Sequence, residues 1–536
     1  MKGGLYHVSG LNENLDDYAQ NYEIICAAIE KCRECHYKGI FLPKGTYAIY
    51  NQRAIELNKK LLSGEISPTD YSRWKAERNV VFDVSDTDTF SIVGEHTKIL
   101  LDGLIGAFDF TNVKNVRLEG VSIDWIHPLY FTAVIESIEG NEIVAKPDLE
   151  LAGGEPIVSF QNYDLETGRQ KGMSVFDGVS NVKKRKDNRI SFTSESICGL
   201  QVNDGIIARY IYNFAPMIHC YCCKEVCVED VTVHSGCGMG VIAHKCGNLN
   251  FERYRVVPQK GQRMSTNCDA THFINCYGNI HFNQCEFESM GDDAVNVHGF
   301  YMTIKKILDK RTIVAVIEAS AQDGIIASPD AGDRVEFSRR DTLLPFAENR
   351  ITYVDVDEKQ SEITIKFEDE IPISVIVGDC IGNISKVAQL VVENCTVKNI
   401  RGRAILIQTR DAVIKNNVFE QCTGQGVHIN TATGWWESIG TRNVQVYSNR
   451  FINCGYGITK YCNAVGIVIE VEAEKTIAGV HKNIAIQDNY IQGKNTGIKV
   501  SGVEGLLMKG NVFSGCKNEY EISCCKNVRI IHEEEK

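Results

Sequence analysis

The sequence predicts an all-β chain wound as a right-handed parallel β-helix, with an N-terminal capping helix and two inserted antiparallel β segments. Three observations predict it. A short strand phrase with an Asn- or Asp-containing corner recurs along the chain. Glycine is plentiful and proline scarce, at 45 and 10 residues. Cysteine reaches 21, an odd number that cannot pair completely in a chain large enough to hold a core without disulfides. Most of these cysteines are therefore expected to be reduced, small, buried residues.

The phrase is clearest near the C-terminus, at Val413 to Phe419, Val444 to Phe451, Ile484 to Ile491 and Leu507 to Phe513. Earlier forms are Ile280 to Phe287 and Leu390 to Val397. Asn489 and Asn511 lie 22 residues apart, whereas Asn417 and Asn449 lie 32 apart, which requires a loop. Short alternating strands at this period describe the coils of a parallel β-helix, stacked at about 4.8 Å. Asn at the bends tolerates left-handed backbone and can hydrogen-bond its own kind in the next coil. Cys285, Cys395, Cys422 and Cys454 are expected to point inward. Leucine-rich repeats would need a Leu/Asn consensus that is absent, and propeller blades are longer.

Tyr22 to Cys35 carries Ile25, Ala28, Ile29 and Cys32 at helical spacing, followed by Leu42-Pro43-Lys44-Gly45-Thr46-Tyr47. This resembles the N-terminal cap and first coil of the pectate-lyase-like superfamily. Residues from about 50 to 80 read as a helical excursion, after which the coils resume. Paired strand signals break the rhythm twice, around Glu139-Gly140-Asn141 and around Leu308 to Arg311. The expected organisation is cap and first coils over 1–127, an inserted β segment over 128–210 and coils over 211–299. A second inserted β segment follows over 300–382, then the last coils over 383–536. Both insertions are read as small barrels or sandwiches.

Lys+Arg numbers 57 against 69 Asp+Glu, a net charge of −12, so the footprint of a nucleic-acid binder is missing. No apolar run of about 18 residues offers a membrane span. No secretory signal is visible at Met1-Lys2-Gly3-Gly4-Leu5, which favours the cytoplasm; an exported enzyme of an anaerobe would fit the same trace.

Polar residues concentrate in Arg263 to His272 and in Ser289 to Gly299. Asp269 and Asp292 are 23 residues apart, one coil, which places Asp269 beside the Asp292-Asp293 pair. Three crowded carboxylates raise at least one pKa, and a protonated acid beside an ionised base is what glycoside hydrolysis requires. The plainer reading is a structural Gly-Asp-Asp turn or a Ca²⁺ corner. Asn267-Cys268-Asp269, one coil before Gly291-Asp292-Asp293 with His298-Gly299 behind, resembles two families of β-helical glycosidases. One is glycoside hydrolase family 28, the polygalacturonases. The closer is family 110, exo-acting α-1,3-galactosidases, through Cys268 to Phe273 and Met290 to Gly299 and the plan of a β-helix with two β-barrel insertions. His298 follows Asp293 by five positions and no Arg-Ile-Lys element occurs, so a uronate substrate fits less well than a neutral sugar.

The family 110 resemblance implies an inverting exo-α-galactosidase without a cofactor or metal. Asp292 is then the acid, and Asp269 and Asp293 hold and deprotonate the water. Inversion needs acid and base about 6.5–9.5 Å apart. Candidate sugar contacts are Arg263, Asn267, His298, Trp435, Trp436 and Glu437. The tryptophans either stack on a galactose ring or cap the solenoid flank. Arg263, Arg401 and Arg403 either meet hydroxyls or pair with the aspartates, and His298 either holds a hydroxyl or orients Asp293. The run His219-Cys220-Tyr221-Cys222-Cys223 suggests zinc, but strand alternation sends neighbouring ligands to opposite faces. Arg339-Arg340-Asp341 reads as a surface or inter-subunit element, and the insertions offer surfaces for a homodimer. The alternatives are a polygalacturonase-like pectin hydrolase, a lyase, or a glycan-binding β-helix without chemistry.

Overall fold

A computed structural model describes residues 4–67, 79–151, 154–175, 179–195, 197–318, 328–357, 359, 361–458 and 464–531. The backbone is a parallel β-helix. One inward row shows how it is held: Leu118, Val228, Phe251, Phe282, Val392, Ile414, Val446, Ile486 and Met508 stand in register on nine successive coils. All nine are buried. Within this row Phe251 stacks on Phe282 at 4.6 Å between centroids. Burial of one apolar side chain per coil, repeated along every strand, is the dominant favourable term.

The corner of each coil divides two tasks between adjacent residues. Asn416, Ser448, Asp488 and Gly510 take the left-handed conformation, with φ of 57°, 55°, 53° and 63°. The residue after each is the stacked asparagine. The backbone and side-chain N–H groups of Asn417 both donate to Asn449 Oδ1 at 3.0 Å. Asn449 donates in the same way to Asn489, and Asn489 to Asn511. In earlier coils cysteine continues the column. The Cys395 N–H donates to Asn417 Oδ1 at 2.8 Å, and the Cys285 N–H points to Cys395 Sγ at 3.4 Å. The asparagine expected to do both jobs does one, because its side chain must face inward to meet the next coil.

The helix Tyr18–Cys35 covers the first coil with Ile25, Ala28, Ile29 and Cys32, the residues expected from spacing. A second helix, Gln52–Leu62, is capped by the Asn51 side chain; residues 68–78 of the expected excursion lie outside the described residues. From Tyr130–Glu139 to Gly205–Arg209, seven strands form an open antiparallel sheet. Between the two halves of the solenoid a second set closes on itself. Val295–Ile307 pairs with Thr312–Val316 and with Cys380–Asn383, Arg334–Ser338 joins Cys380–Asn383 to Pro345–Asp357, and Glu362–Phe367 completes the ring. Its interior is a separate apolar cluster that includes Met302, Ile304, Phe337, Ile365 and Phe367. Val295–Ile307 belongs to both bodies, with no break at Gly299 where the sequence suggests a boundary.

The 20 cysteines among the described residues are free thiols. Reductant is therefore expected to leave the melting temperature unchanged, and a thiol titration of unfolded protein to approach 21. Replacing Asn449 by Ala removes a buried acceptor and two donors together, and should cost about 2–4 kcal/mol in chemical denaturation.

Candidate active site

The site lies where three successive coils turn into one strand row. Thr271 is in register with Val295, and Val295 with Ile405. Asp269, Asp293 and Arg403 each stand two residues before these positions and so form one column across the coils. The backbone confirms the alignment: the Ala270 N–H donates to Asp293 O at 2.9 Å. The in-register neighbour of Asp269 is thus Asp293, and Asp292 stands one residue earlier. One oxygen from each aspartate lies within 4.8 Å of the others. That is tighter than the spacing of about 6.5–9.5 Å expected for an acid and base with a water between them.

Two arginines make this crowding tolerable. Arg403 gives Asp293 its backbone N–H at 2.7 Å, its Nε–H at 3.0 Å and its Nη2–H at 2.5 Å. Arg401 Nη1 donates to Asp292 Oδ1 at 2.8 Å. Gly402 between them has φ of 123°, and a Cβ there would lie 2.9 Å from Asp293 Oδ1 and from the Asp292 carbonyl carbon. Only glycine lets the backbone come this close. Of the two roles open to Arg401 and Arg403 in the sequence, the structure shows the pairing with aspartates.

The three carboxyls are not equivalent. Asp293 is 1% exposed and clamped by Arg403. Asp292 is the most open, with 17% of its side chain accessible, and accepts from Tyr212 Oη at 3.1 Å. Burial raises its pKa most; Arg401 opposes this, Asp293 and Asp269 add to the rise, and the result is about 7. Asp269 is buried, and burial together with Asp293 pushes its carboxyl well above the usual range. Its Oδ2 lies 2.7 Å from His272 Nδ1. His272 Nε2 in turn lies 2.7 Å from His298 Nε2, and His298 Nδ1 lies 2.8 Å from Gly299 O.

The other sequence-predicted residues are spread around this centre. Asn267 is buried, with its Nδ2 donating to Ile211 O at 2.8 Å. The His298 side chain is fully buried behind His272, and Glu437 Oε1 stands 3.9 Å from its Nε2. Trp435 is 55% exposed. Trp436 is 8% exposed and packs with Tyr301, Leu343 and Val471, with the Arg340 guanidinium 4.6 Å from its ring centroid. Unlike Arg401 and Arg403, Arg263 does not pair with the aspartates; its guanidinium lies 5.3 Å from the Tyr163 ring centroid, because the first antiparallel sheet brings that ring over it. His219 meets Asp109 at 3.0 Å on the outside of the coil, while Cys220 and Cys223 point into the core. Arg339 pairs with Asp379 at 2.6 Å, and Asp341 with Lys475 at 3.0 Å.

Sequence reasoning missed Tyr212 and Arg209. Both come at the exit of the first antiparallel sheet, whose last strand is Gly205–Arg209. The Arg209 guanidinium, fully buried, donates to Asn267 O at 2.6 Å. Also missed was a polar group further along the same face. His428 Nε2 lies 2.9 Å from Glu470 Oε1, and Asn430 Nδ2 donates to Glu472 Oε1 at 2.6 Å. His428, Glu470 and Glu472 offer the ligating atoms that a cation would need, within 4.8 Å of one another. The alternation of His428 and Asn430 around Ile429 was the available signal.

Fold and site together define a β-helix that carries three crowded aspartates, two of them paired with arginines, on one face. Residues 374–470 match the family model described as right handed beta helix region. Alpha-1,3-galactosidase B of Parabacteroides distasonis is 26% identical over 97% of this chain and 89% of that protein. Alpha-1,3-galactosidase A of Akkermansia muciniphila is 26% identical over 78% of this chain and 72% of that protein. Among solved structures, the family 28 exopolygalacturonase of Yersinia enterocolitica is 12% identical, with a TM-score of 0.46, covering 100% of this chain and 79% of that one.

Removing the Arg403 side chain with Ala strands the Asp293 charge and should cost roughly 3–5 kcal/mol in denaturant unfolding. Asp292 behaves oppositely. Its raised pKa means that the folded chain binds this proton more tightly than the unfolded chain does, so its ionisation costs stability as pH rises through about 7. Asp292→Asn is expected to melt at pH 8 no lower than the unsubstituted protein; a fall of many degrees would mark Asp292 as structural.

Proposed function

We propose that the chain is an exo-acting α-galactosidase that removes terminal α-1,3-linked galactose with inversion, without a metal step. The observation that carries the chemistry is the split between Asp292, poised to hold a proton near pH 7, and Asp293, held by Arg403 as the counter-charge. Asp292 protonates the glycosidic oxygen as the C1–O bond breaks. Asp269 and Asp293 hold the water whose oxygen bonds to C1 and take up the proton it loses. The relatives named alpha-1,3-galactosidase, aligned over most of the chain, support galactose as the sugar and the α-1,3 bond as the linkage. Exposed Trp435 offers a stacking face, and neutral hydroxyls find partners in Glu437 and in the His428 group.

Exo action is supported by what surrounds the aspartates. The closed barrel grows directly out of the strand that follows Asp293, and the first sheet docks on the coil corners nearby. There Gln170 N–H donates to Asn399 Oδ1 at 2.9 Å, and Arg169 lies 4.0 Å from the Tyr456 ring centroid. The close carboxyl spacing resembles that of retaining enzymes, about 5–5.5 Å. The clamp on both Asp293 oxygens and the rear contact of Asp269 with His272 favour a held water over a carboxylate nucleophile. Free thiols throughout the described residues favour a reducing compartment.

The test is incubation with α-1,3-galactosyl oligosaccharides and p-nitrophenyl glycosides, with the first-formed anomer followed by NMR. β-Galactose appearing first, with only monosaccharide released and little early viscosity loss on a long polymer, is the expected result. α-Galactose first would overturn inversion, and galacturonate release from pectic fragments would move the polygalacturonase-like reading ahead. Asp292→Asn should lower turnover by about 10²–10⁴-fold. The rate should fall with rising pH around a midpoint near 7 as Asp292 loses its proton.

A further inference from the structure

The carboxyl of Asp269 is backed by two histidines in line, and the end of that line fixes the protons along it. Gly299 O can only accept, so the His298 Nδ1 that faces it at 2.8 Å carries a hydrogen. The His298 side chain has no exposed surface, and an imidazolium there would be a buried cation, so its Nε2 is bare. A bare Nε2 at 2.7 Å from His272 Nε2 requires the hydrogen of that contact to sit on His272. His272 Nδ1 then meets Asp269 Oδ2 at 2.7 Å, and this short contact also needs a hydrogen. Either His272 is an imidazolium against a carboxylate, or it is neutral against a carboxylic acid. In both cases the pair holds one proton and no net charge.

We infer that His272, oriented by His298 and the Gly299 carbonyl, is a positioning residue that keeps one shared proton on the Asp269–His272 pair at neutral pH. The pair therefore does not add a third negative charge to the site. Around it stand Asp292, Asp293, Arg401, Arg403 and Glu437, while its strand neighbours are uncharged, Ile242 on one coil and Asn296 on the next. Asp293 is balanced by Arg403, and Arg401 faces Asp292, so a neutral pair is what leaves Asp292 free to titrate near neutrality. Burial keeps His298 at about 4 and, with Asp293, pushes Asp269 well upward, in agreement with this count. The proton count stands on geometry; only its kinetic consequence rests on the proposed hydrolase function.

The test has two arms. Long-range ¹H–¹⁵N spectra of the full chain with labelled histidines, recorded without substrate between pH 6 and 8, read the tautomers directly. His272→Gln and His298→Gln identify the two signals. His298 is expected to be neutral with its proton on Nδ1 throughout, and His272 to keep its proton on Nε2. A His298 that carries its proton on Nε2, or is an imidazolium at pH 7, overturns the inference whatever the enzyme activity. The second arm compares His298→Gln, whose amide oxygen can accept from His272, with His298→Leu, which cannot. In the leucine variant His272 turns to the Nδ1–H form, the pair loses a proton, and its new charge holds the Asp292 proton more tightly. The basic midpoint of the kcat/KM profile should then rise by about one pH unit or more, whereas the glutamine variant keeps the original midpoint at whatever rate it retains. Equal losses in both variants with an unmoved midpoint would show a purely structural role and sink the proposal. If the leucine variant does not fold, the spectra of the unsubstituted protein decide alone.

Discussion

The constraint on which the site depends is the cost of bringing three carboxyls together out of water. Stacked coils put equivalent positions about 4.8 Å apart, so any acidic residue repeated in register meets its own charge. Here the column runs Asp269, Asp293, Arg403, and the third coil supplies the cation that the first two demand. The same logic runs outward from the column. Arg401 answers Asp292, His272 answers Asp269, and Gly402 is bare so that both arginines reach their partners. Coulomb attraction in a water-poor corner is strong enough to hold such a cluster only when every member has a partner.

The coil corners solve a related problem with uncharged groups. A corner residue needs left-handed backbone, and the next residue must satisfy the N–H groups of the coil before it. The column from Cys285 through Cys395 and Asn417 to Asn511 meets the second need first with sulfur and then with amide oxygen. Sulfur is the weaker acceptor but fits the interior as a small apolar group. Cys285 and Cys395 thus belong to the mechanics of coiling.

Much of this was legible in the sequence because the solenoid repeats its chemistry at a readable interval. The corner phrase marked the coils, the helical spacing from Ile25 to Cys32 marked the cap, and one coil of separation brought Asp269 to the other two aspartates. The partners of those aspartates were harder to place. Arg403 is 110 residues from Asp293 along the chain yet in the next coil, because the whole antiparallel barrel is threaded between them. Tyr212 reaches Asp292 only because the first sheet returns its chain at that level. Insertions break the period that makes a solenoid readable, so contacts across an insertion are lost to pattern while contacts within the coils survive. The ring beside Arg263 was lost to pattern for the same reason, since Tyr163 belongs to the inserted sheet.

The way the barrel is mounted decides how rigid the site is. Val295–Ile307 leaves the coil of Asp293 as a parallel strand, then meets Glu437–Ser438 at Gly299 and Phe300, and continues as a barrel strand. A continuous strand transmits position far better than a flexible linker, because bending it breaks ladder hydrogen bonds on both sides. The barrel, the Trp435–Glu437 loop and His298 are thereby fixed relative to the aspartates by one piece of backbone. On the opposite side the exit strand of the first sheet does the same for Arg209 and Tyr212. The first insertion thus delivers Arg209 and Tyr212 to the site, and the second shares with it the strand that carries His298. A fixed set of polar groups suits recognition of a sugar, since specificity depends on holding donors and acceptors still before the sugar arrives.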